Sequence, residues 1–555
     1  MRIIIIELIA FAVVPYFYLY SQWSKNPNEN LQVAVHGGNI HAVPDRKGGA
    51  IITFNNFDYD VVTTYLQAIN KYGYLKWTEP KIIADGPSPK NYGVGLFSSD
   101  DDNYIFGYKS GYNYIDSNLV QYSFYDPYVQ KIDTNGNKLW GEYGIELNPN
   151  SPSQRVDMFM CNDGNGGIYA FWKISPPSDY STYDSLFVQH ITKDGEKLWG
   201  DNGIFIGDSI VDVNNSWVAD DDSGGIYVQY YKRAYEHYIQ KFDTPGNLKW
   251  TLSTPNNFSK AIKDGYGGII LSGVEDSYPA HKLIINRISP EGGKLWGQGI
   301  IVDDSVDNQW YNPAEIFLNS DNTISVFWDT DWWPNDDLFL QRFTLDGEQV
   351  WQEYLKVSEY SSPKGRAGIV QSDNNSNIIV WGETRDSSAL YAQKIDSIGN
   401  KLWNSEDIMI MSYSPYDEPN VITDENDGAI IIWRIDPPWG GIYAQQISKN
   451  GNLGEVITSV KEDDNVKPVN FYLEQNFPNP FNPSTTIKFS LPESGDVRLE
   501  IFNILGEKVQ TLRDEFYNAG IYIVEFNAGN LPSGIYFYKL TSDNFTDTKK
   551  LILVK

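Results

Sequence analysis

The chain carries a single cysteine, Cys161, in 555 residues. One thiol forms no internal disulfide, so stability has to come from buried apolar surface. Cys161 ends the apolar run Val156–Cys161, which reads as a buried structural thiol. Histidine is scarce as well. His36, His41, His190, His237 and His281 show no H-x-x-x-H or H-x-H spacing, which disfavours a zinc centre. Only 11 arginines occur, and they make no recognisable carboxylate-binding set. G-x-S-x-G, P-loop and dinucleotide patterns are all missing, so the chemistries those loops support find no foothold.

What is abundant is aromatic side chain (15%), glycine (46) and acid. Aromatics favour strands and glycine favours turns, so the composition points to an all-β chain. Net charge is −29; from Phe471 onward 8 Lys+Arg face 10 Asp+Glu, leaving −27 upstream. Such a surface repels phosphate backbones, so no nucleic-acid partner is expected.

Both ends read as addresses. Met1-Arg2, the apolar stretch Ile3–Leu19 and Ser21 before Gln22 read as a signal peptide over 1–21. Glu7 and Pro15 interrupt that stretch, so no stable membrane span is expected after processing. At the other end stand Gln475-Asn476-Phe477-Pro478-Asn479-Pro480-Phe481-Asn482-Pro483, then Leu531-Pro532-Ser533-Gly534-Ile535-Tyr536, then Lys549-Lys550. Together these resemble the type A C-terminal sorting domain of the type IX secretion system. The resemblance implies that the type IX machinery is a partner, and that the protein is secreted or attached to the outer-membrane surface. Alternating apolar and polar residues in Thr486–Leu491, Val497–Phe502, Ile521–Phe526 and Ile535–Leu540 fit about seven short strands of an immunoglobulin-like sandwich over 471–555. The stretch 458–470, with Lys461-Glu462-Asp463-Asp464-Asn465, reads as an acidic linker.

Between the ends the chain repeats itself eight times. An amide residue precedes Gly by six positions at Gln67/Gly73, Gln130/Gly136, Gln189/Gly195, Gln240/Gly246, Asn286/Gly292, Gln341/Gly347, Gln393/Gly399 and Gln445/Gly451. Trp follows four residues after the first seven glycines, at 77, 140, 199, 250, 296, 351 and 403; the eighth copy has Glu455. Asn, Asp, Thr or Ser three residues before each Gly marks a type I turn. A second turn of the form D-x-x-G-G lies upstream, as in Asp163–Gly167, Asp264–Gly268 and Asp424–Gly428. Two hairpins per copy give four strands, and successive tryptophans stand 46 to 63 residues apart. That pattern predicts an eight-bladed β-propeller over 22–457, closed by Trp23 and a strand at Leu31–Val35 joining the last blade. Pro245, at the third turn position, predicts a local departure in copy four. The stretch also resembles an uncharacterised family of exported bacterial repeats, DGxGGAIIxW…YAQxIxxxGxxxW, which brings no activity with it.

Dozens of acids make any chosen carboxylate pair uninformative. The sialidase Asp-box fails on spacing, since Asp to Gly is three positions here and Gly to Trp is four. The turns Asp163–Gly167 and Asp424–Gly428 alternate oxygen groups as calcium loops do, but an Asx-turn explains the same residues. No cofactor is expected beyond that calcium alternative. The links between second and third strands vary in length and collect aromatics. Tyr112, Tyr114, Tyr122 and Tyr125 lie in copy two, Trp332 and Trp333 in copy six, and Trp439 in copy eight. These seven are the candidate ligand-binding residues, because rings stack on sugars and anchor protein partners. The expected function is an exported, non-catalytic protein binding a glycan or a protein. The rival is a polysaccharide hydrolase or lyase, which needs two carboxylates about 5–10 Å apart at the propeller mouth; a structural surface component is the third reading.

Overall fold

Every repeat glycine closes a tight turn. Gly73, Gly136, Gly195, Gly246, Gly292, Gly347, Gly399 and Gly451 each donate the backbone N–H to the carbonyl three residues back, at 2.8–3.2 Å. Their φ values lie between +76° and +90°, the left-handed region that glycine alone enters freely. The Gly246–Asp243 bond is kept at 2.8 Å, so Pro245 does not disturb its turn. Copy four departs instead in its last strand, which is seven residues long, Leu248–Thr254.

The computed structural model describes residues 23–454 and 471–554 except 59–60, 100–101, 116–120, 150–154, 176–183, 233–235, 276–281, 304–313, 331–336, 361, 404–406, 414–418, 436–439, 474, 477–478, 480, 518–519, 530 and 543–544. The expected signal peptide and acidic linker lie outside the described residues. The chain divides into two compact units, 1–455 and 456–555.

The first unit is built from antiparallel four-stranded groups in chain order, at 38–84, 90–146, 155–210, 210–254, 256–303, 315–356, 364–411 and 420–447. The third and fourth share one long strand, Ile204–Asp220, which pairs first with Asp184–Ile191 and then with Ile226–Lys232. The last group has only three strands of its own, and Leu31–Ala34 supplies the fourth in register Leu31↔Ala444 and Gln32↔Tyr443. The first strand of each group lies beside the first strand of the next, and Asn420–Thr423 returns to Gly38–Pro44.

The tryptophans explain the repeat spacing. Each one packs under the turn glycine of the following group: a Cβ on Gly195 would meet Trp140 at 3.0 Å, on Gly292 Trp250 at 3.0 Å, and on Gly451 Trp403 at 3.0 Å. The indole N–H groups of Trp199, Trp250, Trp351 and Trp403 donate to carbonyls in those turns, at 2.8–3.0 Å. Trp23 does the same for the first group, lying under Gly73 and donating to the Lys71 carbonyl at 3.0 Å. The amides complete the pattern. Gln130 and Gln189 donate to the carbonyl just after the local tryptophan, at Gly141 and Gly200. Gln445, whose copy lacks that tryptophan, donates to Ser24, the residue after Trp23.

The core lies between neighbouring sheets. Second strands such as Thr323–Asp329 and Ala429–Ile435 are buried on both faces, which explains their unbroken apolar runs. Trp172, Trp328, Trp381 and Trp433 are fully buried there. Each removes about 200 Å² from water, roughly 5 kcal/mol at 25 cal/mol/Å².

The second unit closes two sheets on one core. Tyr472–Leu473, Ser484–Leu491 and Gly520–Asn527 form the first sheet; Lys508–Tyr517, Gly495–Asn503, Gly534–Ser542 and Phe545–Leu553 form the second. Alternate residues of Gly495–Asn503 and Gly534–Ser542 face the shared cluster of Ile487, Phe489, Leu499, Tyr538 and Leu551.

Candidate functional site

The two ends of the hairpins use polar residues differently. At the D-x-x-G-G end the first Asp is a structural acceptor. Asp163 Oδ1 takes the N–H groups of Asn165 and Gly167 at 2.8 Å, while Oδ2 lies 2.9 Å from His190 Nε2. Burial alone would raise the Asp163 pKa; the His190 ring and the two N–H groups outweigh it and hold the carboxyl below its ordinary 3.8. The same arrangement pairs Asp221 with Lys241 at 3.2 Å, Asp264 with Arg287 at 2.8 Å and Asp424 with Gln446 at 2.8 Å. Asp321 and Asp373, displaced by one or two positions, meet Arg342 and Lys394. Both oxygens of Asp163 and Asp424 thus meet protein partners, with the backbone N–H groups arranged as in an Asx-turn. Among the described residues no group of three or more His, Cys, Asp or Glu gathers as a metal site. Cys161 is half-buried on the apolar cluster that includes Phe171, and burial pushes its thiol well above the ordinary value, as for a packing residue.

At the opposite end the second group projects. Tyr104–Ile115 and Gln121–Ile132 pair over twelve positions, so the tyrosine-rich insert expected as a loop is a regular two-stranded ribbon. The reason is local: aromatic stands opposite aromatic at Tyr108↔Tyr128 and Tyr112↔Phe124, and such cross-strand pairs each stabilise a ladder by about 0.2–1 kcal/mol. The neighbouring strand Lys90–Ser98 reaches only to Gly111, so residues 112–115 extend beyond it. Tyr112 is 44% exposed and stacks on Phe124, with centroids 5.5 Å apart.

Tyr125 is 8% exposed and serves as packing rather than as a presented ring. Its edge meets Tyr92 at 5.6 Å, Lys109 lies 5.5 Å from its centroid, and its hydroxyl donates to Asn113 at 3.2 Å. The side chains of Tyr114 and Tyr122, and the whole of Trp332, Trp333 and Trp439, lie outside the described residues. Tyr92 and Lys109, which touch Tyr125, and Phe57, Asp157 and Lys173, linked to them in turn, escaped the sequence reading. Phe57 at the tip of the first group is 52% exposed and leans on Tyr92 at 6.2 Å. Lys109 and Lys173 converge on Asp157, at 3.4 and 3.2 Å. Their signal was faint, because each sits singly inside an ordinary strand pattern.

Several acids at this end are paired with cations, whereas burial and the charge of Asp126 raise the pKa of Glu146. Asp157 is desolvated, yet the two lysines lower its pKa. Glu315 meets Lys260 at 2.8 Å. In the seventh group Arg385 joins Glu383 and Asp407 at 2.8 and 2.7 Å, sandwiched between Tyr360 and Tyr391 at 3.7 and 3.8 Å. Glu383 also accepts from Ser358, Ser362 and Trp381; burial opposes ionisation, but these donors and Arg385 hold its pKa down. A general acid needs the reverse, a carboxyl held protonated near neutral pH.

The second unit is the part whose class is settled. Residues 475–555 match the family described as a secretion system C-terminal sorting domain. The chain is therefore a cargo of the type IX secretion system, secreted or attached at the cell surface. No helix of the described residues is long and apolar enough to cross a membrane. A sequence search of curated proteins finds no match. Among solved structures the chain is similar to the BP39L lectin of Burkholderia pseudomallei, at 8% identity and TM-score 0.39, over 68% of this chain and 99% of that one. It is similar to an ulvan lyase of polysaccharide lyase family PL25, at 10% identity and TM-score 0.37, over 78% and 95%. It is also similar to Sqt1 of Chaetomium thermophilum, at 9% identity and TM-score 0.37, over 75% and 98%. Likenesses this distant leave the fold to be argued from the chain's own strand pairing.

Proposed function

We propose that this protein is an exported, non-catalytic glycan-binding protein: an eight-bladed β-propeller carried out of the cell by an immunoglobulin-like sorting domain. The propeller reading rests on eight four-stranded groups whose first strands return on themselves, and on Trp23 and Leu31–Ala34 completing the last group. The binding reading rests on one observation. The ribbon end of the second group and the adjoining tip of the first present large aromatic side chains, Tyr112 and Phe57, to solvent on rigid strands. Isolated exposed rings are ordinary, but paired rings on a strand extension beyond the sheet suit stacking against a sugar face. Binding is favoured over hydrolysis because Asp157, beside the ribbon, is paired with Lys109 and Lys173, which lower its pKa.

The test is a glycan array probed with the full chain, followed by calorimetric titration of each hit. Tyr112→Ala and Phe57→Ala should each weaken retention by about 1–3 kcal/mol, the range for truncating an aromatic anchor. No glycan retained, or retention unchanged in the double variant, would remove this reading. Release of reducing ends or unsaturated sugars from a retained polysaccharide would replace it with the enzymatic one.

A further inference from the structure

The sorting signature and the end of the chain meet in space. Phe545–Leu553 is the last strand of the four-stranded sheet and pairs with Gly534–Ser542 on one side only. Its other side is an edge, and the signature covers that edge. Phe481 forms a parallel bridge to Leu553, donating its N–H to the Ile552 carbonyl and accepting from the Val554 N–H, both at 2.9 Å. Asn479 works as a short side-chain strand: Oδ1 accepts the Ile552 N–H at 2.7 Å and Nδ2 donates to the Lys550 carbonyl at 3.1 Å. Gln475 donates to the same Lys550 carbonyl. Asn476, 2% exposed, ties the segment inward to Thr485 at 2.9 Å. The Phe481 ring is 2% exposed in the core.

We infer that Gln475, Asn479 and Phe481 are positioning residues for sorting: they clasp the final strand, and the folded C-terminal edge, not the signature amides, is what the type IX machinery meets. Four edge groups, Lys550 C=O, Ile552 N–H, Ile552 C=O and Val554 N–H, are satisfied by the clasp. Left open, they would form an unpaired template for strand addition by another chain, which edge strands generally avoid. The clasp needs both ends of the domain, so it exists only when the final residues are present and folded. The inference rests on the sorting role alone and is independent of the ligand.

The experiment uses the full chain. Asn479→Ala, Asn479→Asp and Gln475→Ala are scored for exported fraction in a host with the type IX route. The same variants, purified intact from a host without it, are scored by hydrogen exchange of the peptide 545–554. Asn479→Ala should speed exchange of that peptide roughly tenfold, the scale of losing one or two net hydrogen bonds, and export should fall in parallel. Asn479→Asp keeps an acceptor for the Ile552 N–H and should fall between, while Gln475→Ala, which removes one exposed bond to the edge and one to Asn476, should be mildest. Export lost with exchange unchanged would mean that the machinery reads the amides directly and would overturn the inference. Normal export with the edge opened, or no change in either, would overturn it as well. If Asn479→Ala unfolds the whole domain, Gln475→Ala decides between the same outcomes.

Discussion

Leu31–Ala34 joins the start of the repeat array to its end with main chain, whereas Gln475, Asn479 and Phe481 join the start of the C-terminal unit to its end largely with side chains. The main-chain seam is backed by burial: Trp23, Leu31 and Val33 are each under 7% exposed. The amide seam has Phe481 beneath it and solvent around Gln475. The first is therefore an integral sheet strand, while the second is a latch whose strength is that of a few hydrogen bonds.

The sharpest way to break this contrast is to remove the main-chain seam. Deleting residues 23–36 should cost more than any point change, because loss of the buried Trp23 alone is worth about 3–5 kcal/mol. A deleted protein with unchanged melting temperature and solubility would show that the seam is ornamental. Next in size are the acid–cation pairs inside the array. Asp264→Ala strands Arg287 and should destabilise by about 3–5 kcal/mol, whereas Asp264→Leu with Arg287→Met should recover much of that loss. Chemical denaturation of the single and double variants tests it. Smaller still is the latch. Asn479→Ala should lower only the C-terminal transition in calorimetry, by about 1–3 kcal/mol, leaving the array transition in place.

The acid limb of stability should carry the signature of Asp163. Its folded pKa lies below 3.8, so it contributes stability above its unfolded pKa and loses it as pH falls through the folded value. Asp163→Asn should be less stable than wild type at neutral pH and should show a flatter decline under acid; parallel curves would contradict the pairing with His190. The mildest change is Tyr112→Ala, which should stay within about 1 kcal/mol of wild-type stability, the upper value for one cross-strand pair. A larger loss would make the ribbon end a packing element rather than a presented surface.

Much of the array was legible because its chemistry is positional. The amide, turn and tryptophan spacing fixed the hairpins, and the absence of Trp in copy eight pointed to Trp23. The Asp-partner network was not legible, because His190, Lys241, Arg287, Arg342 and Lys394 share a position in the repeat but no single residue type. The insert of copy two reads as a loop from its length and its collected tyrosines. Its facing tyrosines, a property of strand register, make it a ribbon. Tyr112 is exposed, Tyr125 is packed, and Phe57 stands singly in its strand, without a pattern to mark it.

The pairing of Leu31 with Ala444 also sets a clock. Neighbouring strands in each group meet after a short search, but the seam joins segments separated by almost the whole array. Closing such a long loop costs on the order of 5 kcal/mol of chain entropy, and contacts so distant in sequence form late and slowly. Most of the array can thus acquire its local hairpins while its ends are still apart. The seam is therefore expected to be the last pairing to form, at a rate that depends on the length of chain it closes.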